Sequence, residues 1–404
     1  MQDGDSHREE SRWRVILILL IGAAAAWSLP FFLNVPADYR DFVLPWYQHI
    51  VAYGPIGAFA HPFSNYTPPY LYLLALTTFL GGPPALVIKT LSAISAAWAA
   101  YALHRLLSEL DFPRAVEGSL DIFLLPTITI NVPYYGQADM FWIAPCLLAV
   151  AAALRGRDLA MVAFAGLAFA FKAQAIFLAP FVIAMLLNHR SPWCYWLVPP
   201  AIYALAMVPA WIAGWPGYDL LTVYIRQAQY VPSNGIFFVS TASNPWELFW
   251  VLDYDLAVRS YWVGFLAAAS ATAAYLASFA RRSLSKGDVL VAAALSATML
   301  PFLLPGMHER YFALAELLAF SWALVARSRR AVVAALLMQV QFVLSFFGWV
   351  RTMPQLTIIG SVLVVVVLSL LLQPSEHRAE RGAAPVPRRA AQPADSGGLK
   401  FPLT

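Results

Sequence analysis

Long apolar segments recur along almost the whole chain and constrain its fold more than any other feature. The 404 residues are 60% hydrophobic and only 12% charged, whereas soluble domains carry about 25% charged residues. Because backbone in lipid must satisfy its own hydrogen bonds, such a chain spans a membrane as helices or as a closed barrel. The segments are continuous rather than alternating, which favours helices over barrel strands. The sequence therefore predicts an all-α polytopic membrane protein.

The apolar segments predict about twelve membrane crossings, although two segments have unusual lengths. Segment 67–81 is shorter than the roughly 17 residues that a spanning helix needs, so we expect it to lie in the interface or to re-enter. Segment 158–187 is long and carries Lys172 at its middle, which fits two short helices that cross separately. The apolar segments are 15–33, 67–81, 85–107, 119–135, 138–154, 158–187, 193–214, 256–280, 288–304, 309–326, 331–349 and 355–373.

The basic residues favour this assignment, because cytoplasmic loops of membrane proteins carry an excess of Lys and Arg. The assignment sends the two long loops, 34–66 and 215–255, to the outer face. In the competing assignment the short segment crosses and the long one crosses once, which leaves Gln137 and Asp139 on the cytoplasmic side and Arg155 outside. The basic residues expected inside are Arg155, Arg157, His189, Arg190, Arg281, Arg282, Lys286, Arg327, Arg329 and Arg330.

Both termini are expected on the cytoplasmic face, flanking a transmembrane domain of residues 15–373. Two arginines precede segment 15–33 as in a secretory signal, but the segment is long enough to span, so we expect an uncleaved helix after a cytoplasmic N-terminus of residues 1–14. Residues 374–404 are rich in Pro, Ala and Arg and lack apolar periodicity. They predict a disordered tail that contacts anionic membrane lipids.

Composition also bears on partners and cofactors. The net charge of +4 is small, so it does not indicate that the protein binds nucleic acid. Cys146 and Cys194 each lie in an apolar stretch without a second Cys or His at ligand spacing, which supports neither a disulfide framework nor a zinc site. Since no paired-His or Asp-x-Asp motif occurs, we expect no metal and no cofactor.

The first long loop carries two carboxylates that are candidates for a general base. Pro36 can start a helix, on which Asp38 and Asp41 would share one face, and the aromatic residues from Trp46 onward would make that helix amphipathic. A carboxylate there can take a proton from a hydroxyl nucleophile. The alternative is structural, with Asp38 at the positive end of the helix and Asp41 paired with Arg40.

Three further features place polar side chains at the ends of apolar segments. Tyr66 lies in a turn that two prolines force into an extended entry to the next segment. The glycine corner at 136 presents Gln137 and Asp139, although Asp139 also fits the role of a helix cap. Lys172 lies amid apolar residues, so it must either snorkel or bind an anion.

A polar triplet, His308-Glu309-Arg310, follows Pro305-Gly306 and opens a further apolar segment. Arginine offers a planar fork for phosphate oxygens, and histidine can supply a proton or a hydrogen bond to a departing phosphate. The alternative is a surface pair of Glu309 with Arg310 that contributes little. In the preferred topology this triplet lies on the same face as Asp38, so we interpret all these clusters as one site.

These motifs resemble the GT-C glycosyltransferases. Asp38-Tyr39-Arg40-Asp41, then Trp46 and Tyr66-Thr67-Pro68-Pro69, are similar to the first luminal loop of the dolichyl-phosphate-glucose-dependent glucosyltransferases. His308-Glu309-Arg310-Tyr311 is similar to their His-Glu-Lys motif, with arginine in place of lysine. Together with Gly136-Gln137-Ala138-Asp139, the set resembles bacterial membrane mannosyltransferases related to the GPI-anchor second mannosyltransferase.

The resemblance implies an inverting transfer of a hexose, with mannose favoured over glucose, from a polyprenyl-phosphate donor to a lipid, glycan or protein hydroxyl. Asp38 is then the general base, with Asp41 as the rival. His308, Arg310 and Lys172 would bind the donor phosphate. The residues expected to contact substrate are Gln137, Asp139, Tyr66 and Glu309. The implied location is the bacterial inner membrane, in a GT-C bundle whose site faces the periplasm.

Two other functions fit the same charges. A transporter or flippase of a lipid-linked sugar would use them to guide a phosphate through a cavity, and it should show polar residues on both faces and along the path between them. A polymerase or ligase of surface polysaccharide should show paired arginines in a large outer loop, whereas residues 215–255 contain only Arg226.

Overall fold

A computed structural model describes residues 34–233, 241–253, 255 and 261–373 of this chain, together with the single position 22. These residues form helices and turns, with no strand among them. The predicted N-terminus, nearly all of the predicted first helix at 15–33, and the predicted tail at 374–404 lie outside the described residues.

The α-helices are labelled α1 to α16 in chain order, and short 3-10 or π turns join several of them. The first eight are α1 (Leu44–Tyr53), α2 (Pro68–Thr77), α3 (Pro84–Glu109), α4 (Ala115–Leu120), α5 (Pro126–Ile130), α6 (Asp139–Leu154), α7 (Asp158–Phe171) and α8 (Ala179–His189). The remaining eight are α9 (Val198–Ile212), α10 (Gly217–Ser233), α11 (Pro245–Leu252), α12 (Tyr261–Phe279), α13 (Lys286–Leu303), α14 (Ala313–Ala326), α15 (Arg329–Val350) and α16 (Pro354–Leu372).

Within the described ranges, 6 helices are long and apolar enough to cross a membrane, and a bent pair makes up to 7. The chain is therefore an all-helical protein with several helices suited to a membrane, as predicted. Four further apolar helices have 10–17 residues, so the count of about twelve crossings stays a prediction. The long helices are Pro84–Glu109, Trp193–Ile212, Tyr261–Phe279, Lys286–Leu303, Arg329–Val350 and Pro354–Leu372, and the shorter ones are Pro68–Leu80, Asp139–Leu154, Asp158–Phe171 and Ala173–His189.

Two apolar segments are interrupted, each for a local reason. The predicted segment 119–135 forms two helices, Ala115–Leu124 and Pro126–Tyr135, bent by 53°. Pro126 disfavours helical backbone at the residue before it, and Leu125 is extended there. Segment 158–187 likewise breaks at Lys172, whose backbone is extended, so α7 and the following helix are separate elements as expected.

Helix α6 is the centre of the bundle, because nearly every one of its residues is buried. Helices that are apolar all round are typical of such positions. Its neighbour α3 presents small residues, including Ala99 and Ala102, which let the two backbones approach closely. Between α7 and α9 the approach is closer still, since a Cβ at Gly166 would lie 2.7 Å from Pro199 Cα.

Opposite the start of α6, basic side chains join the helix ends, and we call this the basic end. Arg155 pairs with Glu109, and Lys286 donates to Asp111 at 2.6 Å. The His189 ring lies 2.7 Å from the carboxylate of Asp158. Residues predicted to share the cytoplasmic face therefore contact loops at one end of the bundle, while the side of the membrane they occupy stays a prediction.

Candidate active site

Asp38 lies beside Arg310 at the end of the bundle opposite the basic end. The Asp38 Oδ2 atom accepts a 2.8 Å ion-pair contact from an Arg310 terminal nitrogen and a 2.9 Å hydrogen bond from Gln137 Nε2. The Asp38 side chain is 25% exposed, whereas that of Arg310 is 8% exposed. Three clusters that are far apart in the sequence thus meet at one carboxylate, which solvent or a substrate can still reach.

Asp41 lies outside this cluster. It is exposed and receives a 2.7 Å hydrogen bond from Nε of the neighbouring Arg40, as in the structural alternative. The expected shared face with Asp38 does not form, because residues 39–43 adopt a π turn, which rotates successive residues less than an α turn does. The amphipathic helix after it is α1, in which Trp46 and Tyr47 pack inward while Tyr53 is exposed.

A left-handed glycine forms the corner that carries Gln137 and Asp139. Gly136 has a φ of 63°, and a Cβ there would lie 3.1 Å from Lys89 Cγ, so both conformation and space favour glycine. Asp139 is the first residue of α6 and makes no cap hydrogen bond. Its Oδ1 instead accepts from Trp142 Nε1 at 3.0 Å and from Lys172 Nζ at 2.6 Å, so it is not the helix cap of the alternative interpretation.

Lys172 is buried, and its anionic partner belongs to the protein. The break in the helix at this residue turns the amino group toward Asp139, and the side chain is only 5% exposed, so it does not snorkel. The Nζ atom also lies 5.3 Å from the ring centre of Tyr66 and 5.6 Å from that of Tyr311. Cation–π contacts of this kind stabilise a desolvated ammonium.

Arg310 lies among three carboxyl groups. In addition to its contact with Asp38, Arg310 has its Nε 3.5 Å from Asp139 Oδ2 and its Nη1 3.8 Å from Glu309 Oε1. The Arg310 Nε and Asp139 Oδ2 atoms are buried without a hydrogen-bond partner. Glu309 and Arg310 are not the weak surface pair of the alternative, because both are buried. The guanidinium is therefore surrounded by acidic groups, and its Nε faces Asp139.

Glu309 is held by residues that the sequence did not single out. Its two oxygens accept hydrogen bonds from Tyr135 OH at 2.8 Å and Thr241 Oγ1 at 2.7 Å. Thr241 belongs to the second long loop, and its amide donates to Met307 O at 3.1 Å. A single threonine in a loop gives no signal in sequence. A carboxylate inside an apolar run does give a signal, because ionised groups are costly in a membrane, and Glu316 is such a carboxylate.

The hydrogen bonds around Thr241 assign the state of the His308 ring. His308 Nδ1 lies 3.2 Å from Thr241 Oγ1, whose own hydrogen points to Glu309. Nδ1 must therefore carry a hydrogen and donate it, which leaves Nε2 as an acceptor in the neutral ring. Burial and the charge of Arg310 lower the pKa of His308 below its ordinary value of 6.5.

Burial and the charge of Arg310 act against each other on Asp38. Burial raises the pKa of its carboxyl, but the positive charge of Arg310, helped by His308 and Lys172, outweighs burial. The pKa of Asp38 is therefore held below its ordinary value of 3.8, so the carboxylate is ionised at neutral pH. A partly exposed carboxylate in this state is competent to accept a proton from a bound hydroxyl.

Tyr66 joins the candidate site through Gln137. Its hydroxyl donates to Gln137 Oε1 at 3.4 Å, and Gln137 in turn donates to Asp38. The Tyr66 ring packs against Trp46 with centroids 4.9 Å apart, which fixes the orientation of its hydroxyl. The structure thus brings together Asp38, Tyr66, Gln137, Asp139, Lys172, His308, Glu309 and Arg310, and leaves out Asp41.

The described residues define a helical bundle with several helices long and apolar enough to span a membrane and with a charged cluster at one end. Within the described part of the chain, no group of three or more His, Cys, Asp and Glu residues has the arrangement of a metal site. No protein-family model matches this chain, and no curated protein is significantly similar to it.

Proposed function

We propose that this chain is a GT-C-type membrane glycosyltransferase that moves a hexose from a polyprenyl-phosphate donor to an acceptor hydroxyl. The observation that carries the proposal is the contact of Asp38, a partly exposed carboxylate, with Arg310, a buried guanidinium. A base and a phosphate-binding cation, on opposite sides of the transferred sugar, are the two groups that this transfer requires. About twelve crossings of a bacterial inner membrane, with the site on the periplasmic face, complete the proposal.

Asp38 and Arg310 have opposite roles in the reaction. Asp38 takes the proton of the acceptor hydroxyl, whose oxygen attacks the anomeric carbon from the face opposite the phosphate. The bond between that carbon and the phosphate oxygen breaks, and its electron pair stays on the phosphate. The anomeric configuration is thereby inverted. Negative charge grows on the leaving phosphate, where Arg310 stabilises it.

In this proposal Asp38 and Arg310 neutralise each other until the donor separates them. The donor's head enters between Asp38 and Arg310, and a phosphate oxygen replaces Asp38 as the acceptor for the guanidinium. Lys172 acts through its charge, because Asp139 holds its amino group in place. With Arg310 neutralised by phosphate, Asp38 loses the charge that lowers its pKa and becomes a stronger base. Gln137 donates to Asp38, Tyr66 donates to Gln137 and contacts Lys172, and Glu309 contacts Arg310.

Donor binding is expected to weaken as the pH rises. His308 is neutral in the empty site above pH 6.5, and its Nε2 can donate to a phosphate oxygen only after it takes up a proton. The dissociation constant should therefore rise by up to about tenfold per pH unit above 6.5, until the proton is no longer taken up. Asp38 stays ionised throughout this range and contributes nothing to the change. Titration of a donor analogue at several pH values measures it.

The control for this titration is His308→Gln, which keeps a hydrogen-bonding side chain but cannot gain charge. In this variant the dissociation constant should not depend on pH. Wild-type affinity that is constant between pH 6.5 and 8, or that increases with pH, would contradict the role given to His308.

The direct test of the proposed function is a transfer assay with purified full-length protein. The protein is incubated with radiolabelled polyprenyl-phosphate mannose or glucose and a membrane extract, and labelled products are separated from the donor lipid. We expect transfer from one donor, with mannose favoured, and loss of transfer in His308→Ala. Transfer that is equally fast in wild type, Asp38→Asn and His308→Ala would place the reaction elsewhere.

A transporter needs a polar path through the bundle, which the described residues provide only in part. Buried polar side chains continue inward from the site as far as Glu316 on α14. Beyond Glu316 toward the basic end, the remaining residues of α14 are apolar apart from Ser321, whose hydroxyl donates to Leu317 O of the same helix. Arg226, the arginine of the polymerase alternative, pairs with Asp219 of its own helix. These observations favour transfer over transport.

A further inference from the structure

Buried polar side chains extend from the candidate site into the middle of the bundle. We call them the inner polar column. Glu309 and Glu316 lie seven residues apart, about two helical turns, so the column reaches a depth of about 10 Å. Its members are Thr127, Asn131, Tyr135, Glu309, Glu316, Gln339 and Gln341.

Thr127 makes three contacts at the inner end of the column. Its hydroxyl contacts Glu316 Oε2 and also lies 3.0 Å from Gln339 Oε1. Its backbone N–H donates to the same Gln339 Oε1 at 3.3 Å, which fixes the orientation of that amide. The other Glu316 oxygen accepts a hydrogen bond from Gln341 Nε2 at 2.8 Å.

All of these contacts can be hydrogen bonds only if one hydrogen is present beyond those that the neutral donors supply. A hydroxyl carries one hydrogen, but the Thr127 hydroxyl contacts two acceptor oxygens. If that hydrogen points to Gln339 Oε1, the contact with Glu316 is a hydrogen bond only when the Glu316 carboxyl carries a hydrogen and donates it to Thr127. The geometry is therefore satisfied by a protonated Glu316.

The surroundings of Glu316 also favour the neutral acid. Its side chain is fully buried, and within the described residues no Lys, Arg or His forms an ion pair with it. An isolated ionised carboxylate in an apolar interior is costly, and such groups take up a proton instead. The titratable or charged groups on elements packed against α14 are Glu309, Arg310 and Tyr311 before it, Asp139 and Cys146 on α6, Lys89, Tyr101, His104, Arg105 and Glu109 on α3, Lys286 and Asp288 on α13, and Arg329 and Arg330 on α15.

Asn131 lies four residues after Thr127, which contacts Glu316, and four residues before Tyr135, which donates to Glu309. Asn131 is 1% exposed, yet both its amide nitrogen and its amide oxygen lack a hydrogen-bond partner, as does Oε1 of the buried Gln341. These buried donors and acceptors are suited to bind a water molecule, and water together with the Thr127 and Tyr135 hydroxyls can pass a proton along the column.

We propose that Glu316 is a proton-binding site within the membrane that exchanges its proton with the candidate-site end of the bundle through the inner polar column. Exchange from the basic end is blocked, because Leu317, Leu318 and Ala319 continue α14 as a buried apolar stretch. This role goes beyond sugar transfer and does not depend on it.

Dicyclohexylcarbodiimide tests the proposal on the full-length protein in liposomes. A protonated carboxyl in an apolar setting adds across a C=N bond of this reagent, and the adduct rearranges to a stable N-acylurea that peptide mass spectrometry can locate. We expect the label on Glu316 and its loss in Glu316→Gln. Raising the pH from about 6 to about 9, a range that covers documented buried glutamates, should suppress labelling. A folded wild-type protein without label on Glu316 would overturn the proposal.

The exchange route is tested by Asn131→Leu. After the pH is raised, Glu316 in this variant should lose its reactivity about tenfold or more slowly than in wild type, because an apolar side chain cannot bind the water molecule that passes the proton. The matched control is Thr298→Val on α13, since that buried hydroxyl donates only to Ala294 O of its own helix at 2.7 Å. Equal rates in Asn131→Leu and wild type would overturn the route through the column.

Discussion

Replacing Asp38 with asparagine is expected to lower kcat for sugar transfer by about 10²–10⁴-fold, the usual contribution of a general base. Asparagine has nearly the same shape, and its oxygen can still accept from Gln137 and Arg310, so the site should keep its geometry. It cannot take a proton from the acceptor hydroxyl. Initial rates with labelled donor at saturating concentration measure the change in kcat.

Asp41→Asn is the matched control, because it removes a carboxylate from the same turn. Asp41 is exposed and pairs only with Arg40, and such surface pairs contribute little to stability. Its transfer rate should match the wild type. If Asp41→Asn is inactive while Asp38→Asn retains full transfer, the base is Asp41 and the assignment made here is wrong.

Replacing Lys172 with methionine is expected to lower the free energy of unfolding by about 3–5 kcal/mol, as is typical when one partner of a buried ion pair is removed. Methionine fills the apolar surroundings but leaves the carboxylate of Asp139 buried without its 2.6 Å partner. The nearest remaining cation, Arg310 Nε, is 3.5 Å away. Unfolding of the detergent-solubilised protein, followed by heat or denaturant, measures the loss.

Two variants separate the cost of the unpaired charge from that of the substitution itself. Lys172→Met combined with Asp139→Asn should recover most of the stability, because the charge is gone while the amide oxygen still accepts from Trp142. Lys286→Met removes a lysine from the exposed pair with Asp111 and should cost less than about 1 kcal/mol. A loss in Lys286→Met equal to that in Lys172→Met would rule out the buried pair as the cause.

Much of the helical fold could be predicted from hydropathy, because a helix in lipid must be apolar over its full length. The segments 331–349 and 355–373 correspond closely to α15 and α16. The angles between elements could not be predicted in the same way. Pro126 signals an interruption of its segment, but the 53° bend depends on packing against other helices.

The candidate site was predictable in its charged members and not in its contacts. Charges are costly in a membrane, so Asp139, Lys172 and Arg310 stand out in an apolar sequence. Which carboxylate would meet which cation depends on the π turn after Asp38, which has no pattern in sequence, and on the direction in which the break at Lys172 turns its side chain. Thr241 and Tyr135 were missed because their roles arise only from proximity to Glu309.

The most direct measurement follows the chemical form of the sugar in proteoliposomes that contain the wild-type protein, radiolabelled polyprenyl-phosphate hexose and an acceptor extract. Transfer at Asp38 and Arg310 predicts labelled hexose covalently attached to an acceptor, with inverted anomeric configuration and release of polyprenyl phosphate. Label that crosses the bilayer while still attached to polyprenyl phosphate, with no new glycoside formed, would contradict a glycosyltransferase and identify a transporter instead.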